Sequence, residues 1–214
     1  WQRQHALQPT AGEAQQNIDS SIPQAPQNAL PSANKAAAAM PQESSFHLQS
    51  GQRISVETDL FKADIDTIGG DLRRLELTKH RAADATNKNF VLMDDQGATM
   101  LYVAQTGLIG ADLPTHKTVF TSAAGTYKLQ DGVDKLVVRL TWTGGNGSTV
   151  DKIYTFHRGN YVLDVTYQIH NGSGQAITPS VYYQIVHDSE SNQGTRMVPT
   201  FTGGAYFTEA DKYK

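Results

Sequence analysis

The alternation of hydrophobic and polar positions divides this chain near residue 50. From Arg53 onward, apolar residues recur at every second position in short runs separated by Gly-rich turns, the period of strands with one face in a core and one in solvent. Ile54 and Val56 alternate with Ser55 and Glu57, and the run from Leu60 to Ile68 ends at Gly69-Gly70. Leu72, Leu75 and Leu77 follow that turn, and the polar stretch His80 to Asn89 reads as a loop. Phe90 to Met93 and Met100 to Ala104 read as a hairpin around Asp94-Asp95-Gln96-Gly97, whose Asp and Gly suit tight-turn geometry.

The second half carries the clearest strands. Leu136, Val138, Leu140 and Trp142 fall on one face and Val137, Arg139 and Thr141 on the other, before Gly144-Gly-Asn-Gly147 turns the chain. Val150 to His157 returns with Tyr154 and Phe156 on one face. After His157-Arg-Gly-Asn160, the residues Tyr161, Leu163, Val165, Tyr167 and Ile169 are apolar at every second position, which completes a meander with one wet side. Asn171-Gly-Ser-Gly174 turns into Ala176 to His187, where Pro179 argues for an edge position or a bulge because it cannot donate to a ladder. Long strands at this spacing, with no sustained helical period, favour two packed antiparallel sheets.

Residues 1–50 differ sharply, being dominated by Ala, Gln, Pro, Ser and Asn. Such a segment cannot bury enough apolar surface to offset its ordering entropy, so a disordered linker is expected. The domain organisation expected is therefore a linker over 1–50, an all-β domain over 51–207, and the charged start of a helix over 208–214. A chain that opens on Trp1 and breaks off in a starting helix reads as a segment of something longer.

The net charge of −3 and a pI near 6.2 supply no basic face for nucleic acid. The absence of cysteine removes disulfide and thiolate chemistry. No apolar run approaches the ~20 residues that a membrane-spanning helix needs.

The candidate chemistry is sparse. None of the seven histidines stands at ligand spacing, so no metal site is expected, and no cofactor motif is present. Gly144-Gly-Asn-Gly-Ser-Thr149 lacks the Lys of a phosphate loop and leads into a strand. Asn146-Gly-Ser148 and Asn171-Gly-Ser173 match a glycosylation acceptor, yet both sit where turn geometry asks for Asn and Gly anyway. There is no G-x-S-x-G elbow. His187 with Glu190, and His157 with Asp164, are the pairs from which an acid–base couple could be assembled, although a solvated loop after an edge strand is the better reading of the first cluster. No catalytic residue is assigned.

Four segments in order carry a family resemblance: Gly69-Gly-Asp-Leu-Arg-Arg-Leu-Glu-Leu77, Tyr102-Val-Ala-Gln-Thr-Gly107, Tyr154-Thr-Phe-His-Arg-Gly-Asn-Tyr-Val-Leu-Asp-Val-Thr-Tyr167, and Phe201-Thr-Gly-Gly-Ala-Tyr-Phe-Thr-Glu-Ala-Asp-Lys-Tyr-Lys214. Over about residues 53–214 the chain resembles the large periplasmic domain of bacterial YidC-type membrane-protein insertases. The resemblance implies a β-supersandwich akin to the galactose mutarotase fold, on the periplasmic side of the inner membrane. It also implies an accessory role beside membrane helices that do the inserting, with Sec translocon accessory subunits and nascent inner-membrane proteins as partners. Within that frame, Ser180, Tyr182, Gln184 and Val186 are the edge-strand positions expected to meet a partner, and Gly203, Gly204 and Tyr206 a hinge toward the membrane. The alternative is a sugar-binding or mutarotase-like enzyme of the same fold class, with the two His–carboxylate pairs above as its nominees.

Overall fold

A computed structural model of the chain describes residues 48–83, 87–96, 101–187, 207–209 and 212–213. The strands in chain order are β1 (Arg53–Glu57), β2 (Phe61–Asp66), β3 (Asp71–Arg81), β4 (Asn89–Met93), β5 (Tyr102–Ile109), β6 (Thr121–Ser122), β7 (Thr126–Lys128), β8 (Lys135–Thr143), β9 (Thr149–His157), β10 (Leu163–His170), β11 (Ser180–His187), β12 (Phe207–Thr208) and β13 (Lys212–Tyr213). One sheet runs β11-β5-β3-β2-β1-β7, with β4 also on β3; the second runs β10-β9-β8-β6. The expected all-β sandwich is the observed architecture. The residues of the expected 1–50 linker fall, up to residue 47, outside the described part of the chain.

One hydrophobic core fills the space between the sheets. Ile54 and Val56 from β1, Phe61, Ala63 and Ile65 from β2, and Leu72 and Leu75 from β3 meet Val138 and Leu140 from β8 and Tyr154 and Phe156 from β9. All are at most 6% exposed, so each contributes nearly its full apolar area, worth about 1.5–3 kcal/mol per large side chain. The rings of Phe61 and Phe156 meet edge-on across the sheets at 6.2 Å.

The structure departs from the sequence reading at five places. The expected hairpin ladder is not formed among the described residues: β4 and β5 both lie against β3, which at 11 residues is long enough to hold them end to end, and they pair with each other at the Asp94–Tyr102 bridge. β3 continues to Arg81 into the stretch read as a loop, because Ala82 N–H still reaches Lys88 O. β10 begins at Leu163 rather than Tyr161, since Gly159 adopts a left-handed φ of 68° and Asn160 Oδ1 accepts from Val162 N–H. The sandwich is not wholly antiparallel, as β1 and β7 pair in parallel. In place of a helix starting at Thr208, β12 and β13 form a short antiparallel pair. Phe207 pairs in register with Tyr213 there, and Glu209 lies in a turn.

Candidate functional site: an open sheet edge and the buried charges behind it

The two sides of the sandwich end differently. On one side the edge strands β6 and β7 are two and three residues long, too short to template another chain. On the other, each sheet ends in a strand of eight residues, β10 and β11, with no Pro or Lys within it. Pro179 sits immediately before β11, so the edge position expected from it is the observed one.

Pairing with β5 settles which way the β11 side chains point. Ser180, Tyr182, Gln184 and Val186 stand opposite Ile109, Gly107, Gln105 and Val103 and share the face turned away from the second sheet. Tyr182 is only 6% exposed: its ring lies edge-on to His116, and its Oη accepts from His116 N–H and bonds Nδ1. Gly107 leaves the room this needs, since a Cβ there would lie 2.4 Å from Tyr182 Oη. Gln184 Nε2 donates to Gln105 Oε1 at 2.8 Å. Of the four edge residues, Tyr182 and Gln184 are therefore engaged within the domain.

The alternate positions Val181, Tyr183 and Ile185 face the second sheet and are 45%, 61% and 57% exposed. Their β5 partners Leu108, Thr106 and Ala104 pack inward. Tyr183 Oη donates to Val165 O of β10, and Thr106 Oγ1 bonds Tyr167 Oη of the same strand. Among the described residues, the inter-sheet space thus opens between β10 and β11, bordered by an apolar stripe and by two eight-residue strands that each pair on one side. Gly203, Gly204 and Tyr206 lie outside the described residues.

Behind this opening lies a group of buried charges. Lys152 on β9 is fully buried; its Nζ donates to Gly69 O at 2.8 Å and Thr106 O at 3.2 Å, and stands 4.0 Å from Asp71 Oδ1. Tyr154 Oη donates to Gly70 O. Both bonds cross from one sheet to the Gly69-Gly70 turn of the other, whose left-handed φ values of 73° and 60° explain the paired glycines. Asp71, also fully buried, accepts from Gln105 Nε2 at 2.6 Å and pairs with Arg73 at 3.4 Å. Desolvation pushes Asp71 up to about 6 against the pull of Lys152, and pushes Lys152 down to about 8. Burial likewise raises Tyr154 and Tyr167. Further out, Asp66 accepts from Gly51 and Ile68 N–H and Ser50 Oγ and pairs with Arg53, pinning the start of the domain.

The acid–base nominees come out differently. His157 Nε2 and Asp164 Oδ2 do meet at 2.7 Å, but on an exposed strand face. A groove of about 320 Å³ on the outer face of β1, β2 and β3 is lined by Ser55, Lys62, Asp64, Arg74 and Glu76, with no histidine. Glu190, the intended partner of His187, lies outside the described residues. Among the described residues no three His, Asp or Glu side chains gather as a metal site, and no helix is long and apolar enough to cross a membrane.

Comparison with known sequences places this geometry. One family profile, described as the YidC periplasmic domain, matches residues 53–214, three quarters of the chain. The chain belongs to that family. A protein named membrane protein insertase YidC from Methylobacillus flagellatus is 60% identical over the whole chain, which spans 39% of that relative's length. Proteins of the same name from Nitrosospira multiformis and Aromatoleum aromaticum are 46% and 48% identical, over 78% and 76% of the chain and 29% and 30% of their own lengths. In this YidC periplasmic domain the Gly69-Gly-Asp71 and Tyr154–Tyr167 segments that carry the resemblance frame the buried cluster. Lys152 and Asp71 themselves escaped sequence reasoning. The available signal was phase: Lys152 occupies the inward position between Val150 and Tyr154, where a solvated lysine does not belong.

Proposed function

We propose that this chain is the accessory periplasmic domain of a membrane-protein insertase, a scaffold and contact surface with no catalytic role. The observation that carries the reading is the family match over the whole β-domain, joined to a site that offers extended-strand docking. The parent protein would sit in the inner membrane with this domain on the periplasmic side. It would insert and fold inner-membrane proteins alone or with the Sec translocon, and Sec accessory subunits or nascent chains would meet this domain. The folded unit would span 51–207, with Gly203, Gly204 and Tyr206 as the hinge toward the membrane.

The contact surface is the β11 edge. An extended segment adding there gains main-chain hydrogen bonds on the side of β11 that no described strand pairs, and apolar burial over Val181, Tyr183 and Ile185. A second reading is favoured by the direction of that stripe, which faces the inter-sheet space as core residues do: further strands of the longer parent polypeptide would then cover it. Photo-crosslinking from position 185 in the full-length parent separates the two. Adducts with a second polypeptide support partner docking, adducts confined to the parent chain support the second reading, and no adduct at all removes both.

A further inference from the structure

The buried charges connect to the open edge through a continuous polar chain. Lys152 faces Asp71, Asp71 Oδ2 accepts from Gln105 Nε2, and Gln105 Oε1 accepts from Gln184 Nε2 on β11. The carboxylate in this chain is poorly compensated. Lys152 directs its hydrogen bonds to two carbonyls and stays 4.0 Å away, Arg73 is shared with Asp95 and Gln49 O, and Asp71 Oδ1 accepts no hydrogen bond from the described residues. A buried anion in that position gains by rehydration. The Gln105–Gln184 tie leads from it to β11, the outermost strand of its sheet among the described residues.

We propose that Asp71 is the proton-sensitive element of a latch on β11: as a buried carboxylate it favours opening of the Gln105–Gln184 tie, and proton uptake closes that tie. The level to which burial raises Asp71 agrees with this direction. Every neighbouring element contributes a group that faces the cluster: Lys152 and Tyr154 from β9, Tyr167 from β10, Tyr182 from β11, Arg73 from β3, Asp66 from β2, and Arg53 and Asp95 through Arg73 and Asp66. His116, bonded to Tyr182, is the rival titrating group. The latch governs access to β11 whether a partner or the parent chain occupies it.

Hydrogen exchange of the β11 amides bonded to β5, corrected for the intrinsic pH dependence of exchange, tests the latch in the full 214-residue chain. A carboxyl that titrates near 6 when closed and near 3.8 when open predicts about tenfold greater protection at pH 5 than at pH 7.5. Amides between β8 and β9 should not change. Asp71→Asn should show the protected state at both pH values, and His116→Gln should keep the pH dependence. Should Asp71→Asn not fold, carbon-detected NMR of the parent chain decides: the Asp71 carboxyl and the Gln184 side-chain amide should share one midpoint. Protection independent of pH, a response equal in β8 and β9, loss of the response in His116→Gln, or separate midpoints would each overturn the proposal.

Discussion

Truncating Phe156 to Ala is the sharpest test of the packed sandwich. Its ring is fully buried on β9, flanked in register by Leu136 of β8 and Leu163 of β10, and set edge-on against Phe61 of the opposite sheet. Phe→Ala in a core costs about 3–5 kcal/mol. Two features place this site at the upper end. β9 is held on both sides by nine- and eight-residue ladders, so the cavity cannot collapse, and the aromatic pair adds about 0.5–1.5 kcal/mol beyond area. Phe156→Leu keeps most of the volume and should cost about 1.5 kcal/mol. Urea unfolding followed by Trp142 fluorescence and far-UV circular dichroism would report both, with the Leu variant serving if the Ala variant does not fold. A loss under about 2 kcal/mol for Phe156→Ala, with unchanged m-value, would mean that the sheets do not share one core.

Gly69→Ala should destabilise by more than about 2 kcal/mol, since it combines left-handed backbone with a Cβ 2.2 Å from His116 O; Gly159→Ala, at a similar φ but with nothing within 4 Å, should cost about 1 kcal/mol by the same urea assay. Asp71→Asn should stabilise the chain at pH 7 by on the order of 2 kcal/mol, because the folded-state carboxyl is raised to about 6 and its charged form is disfavoured in the fold; that advantage should vanish as pH falls through 6 toward 4, as the native Asp71 takes its proton. Lys152, lowered to about 8, works in the opposite sense, its contribution to stability rising as pH increases from about 8 toward 10.5, so melts from pH 4 to 10 should show the pair contributing least between 6 and 8. Val181→Lys and Ile185→Lys should each change stability by less than about 0.5 kcal/mol, given their exposure, while abolishing any adduct formed from position 183 with a second polypeptide.

The legible parts of the fold are those written in local period. β8 and β9 declare themselves by alternation, and Pro179, just before β11, points to an edge or a bulge because it has no N–H to give a ladder. Parallel pairing of β1 with β7 was not legible, since it joins Ser55 to Thr126 with no turn between them to read. The β11 face was assigned to Ser180, Tyr182, Gln184 and Val186, yet the stripe facing the opening is Val181, Tyr183 and Ile185. Phase alone does not say which face a second sheet covers until β5 fixes the register. Lys152 and Asp71 were hidden for a related reason: the ammonium meets Gly69 O, 83 residues away, and a lysine or aspartate in a strand looks solvated until its partner is placed.

The central claim, that this domain is accessory to insertion, is tested most directly by complementation. Cells depleted of their own insertase would receive the full-length parent gene with or without residues 53–200, expression of both being verified by immunoblot. The account predicts rescue by both versions. Rescue by the intact gene alone would contradict it, showing that the domain takes part in insertion itself.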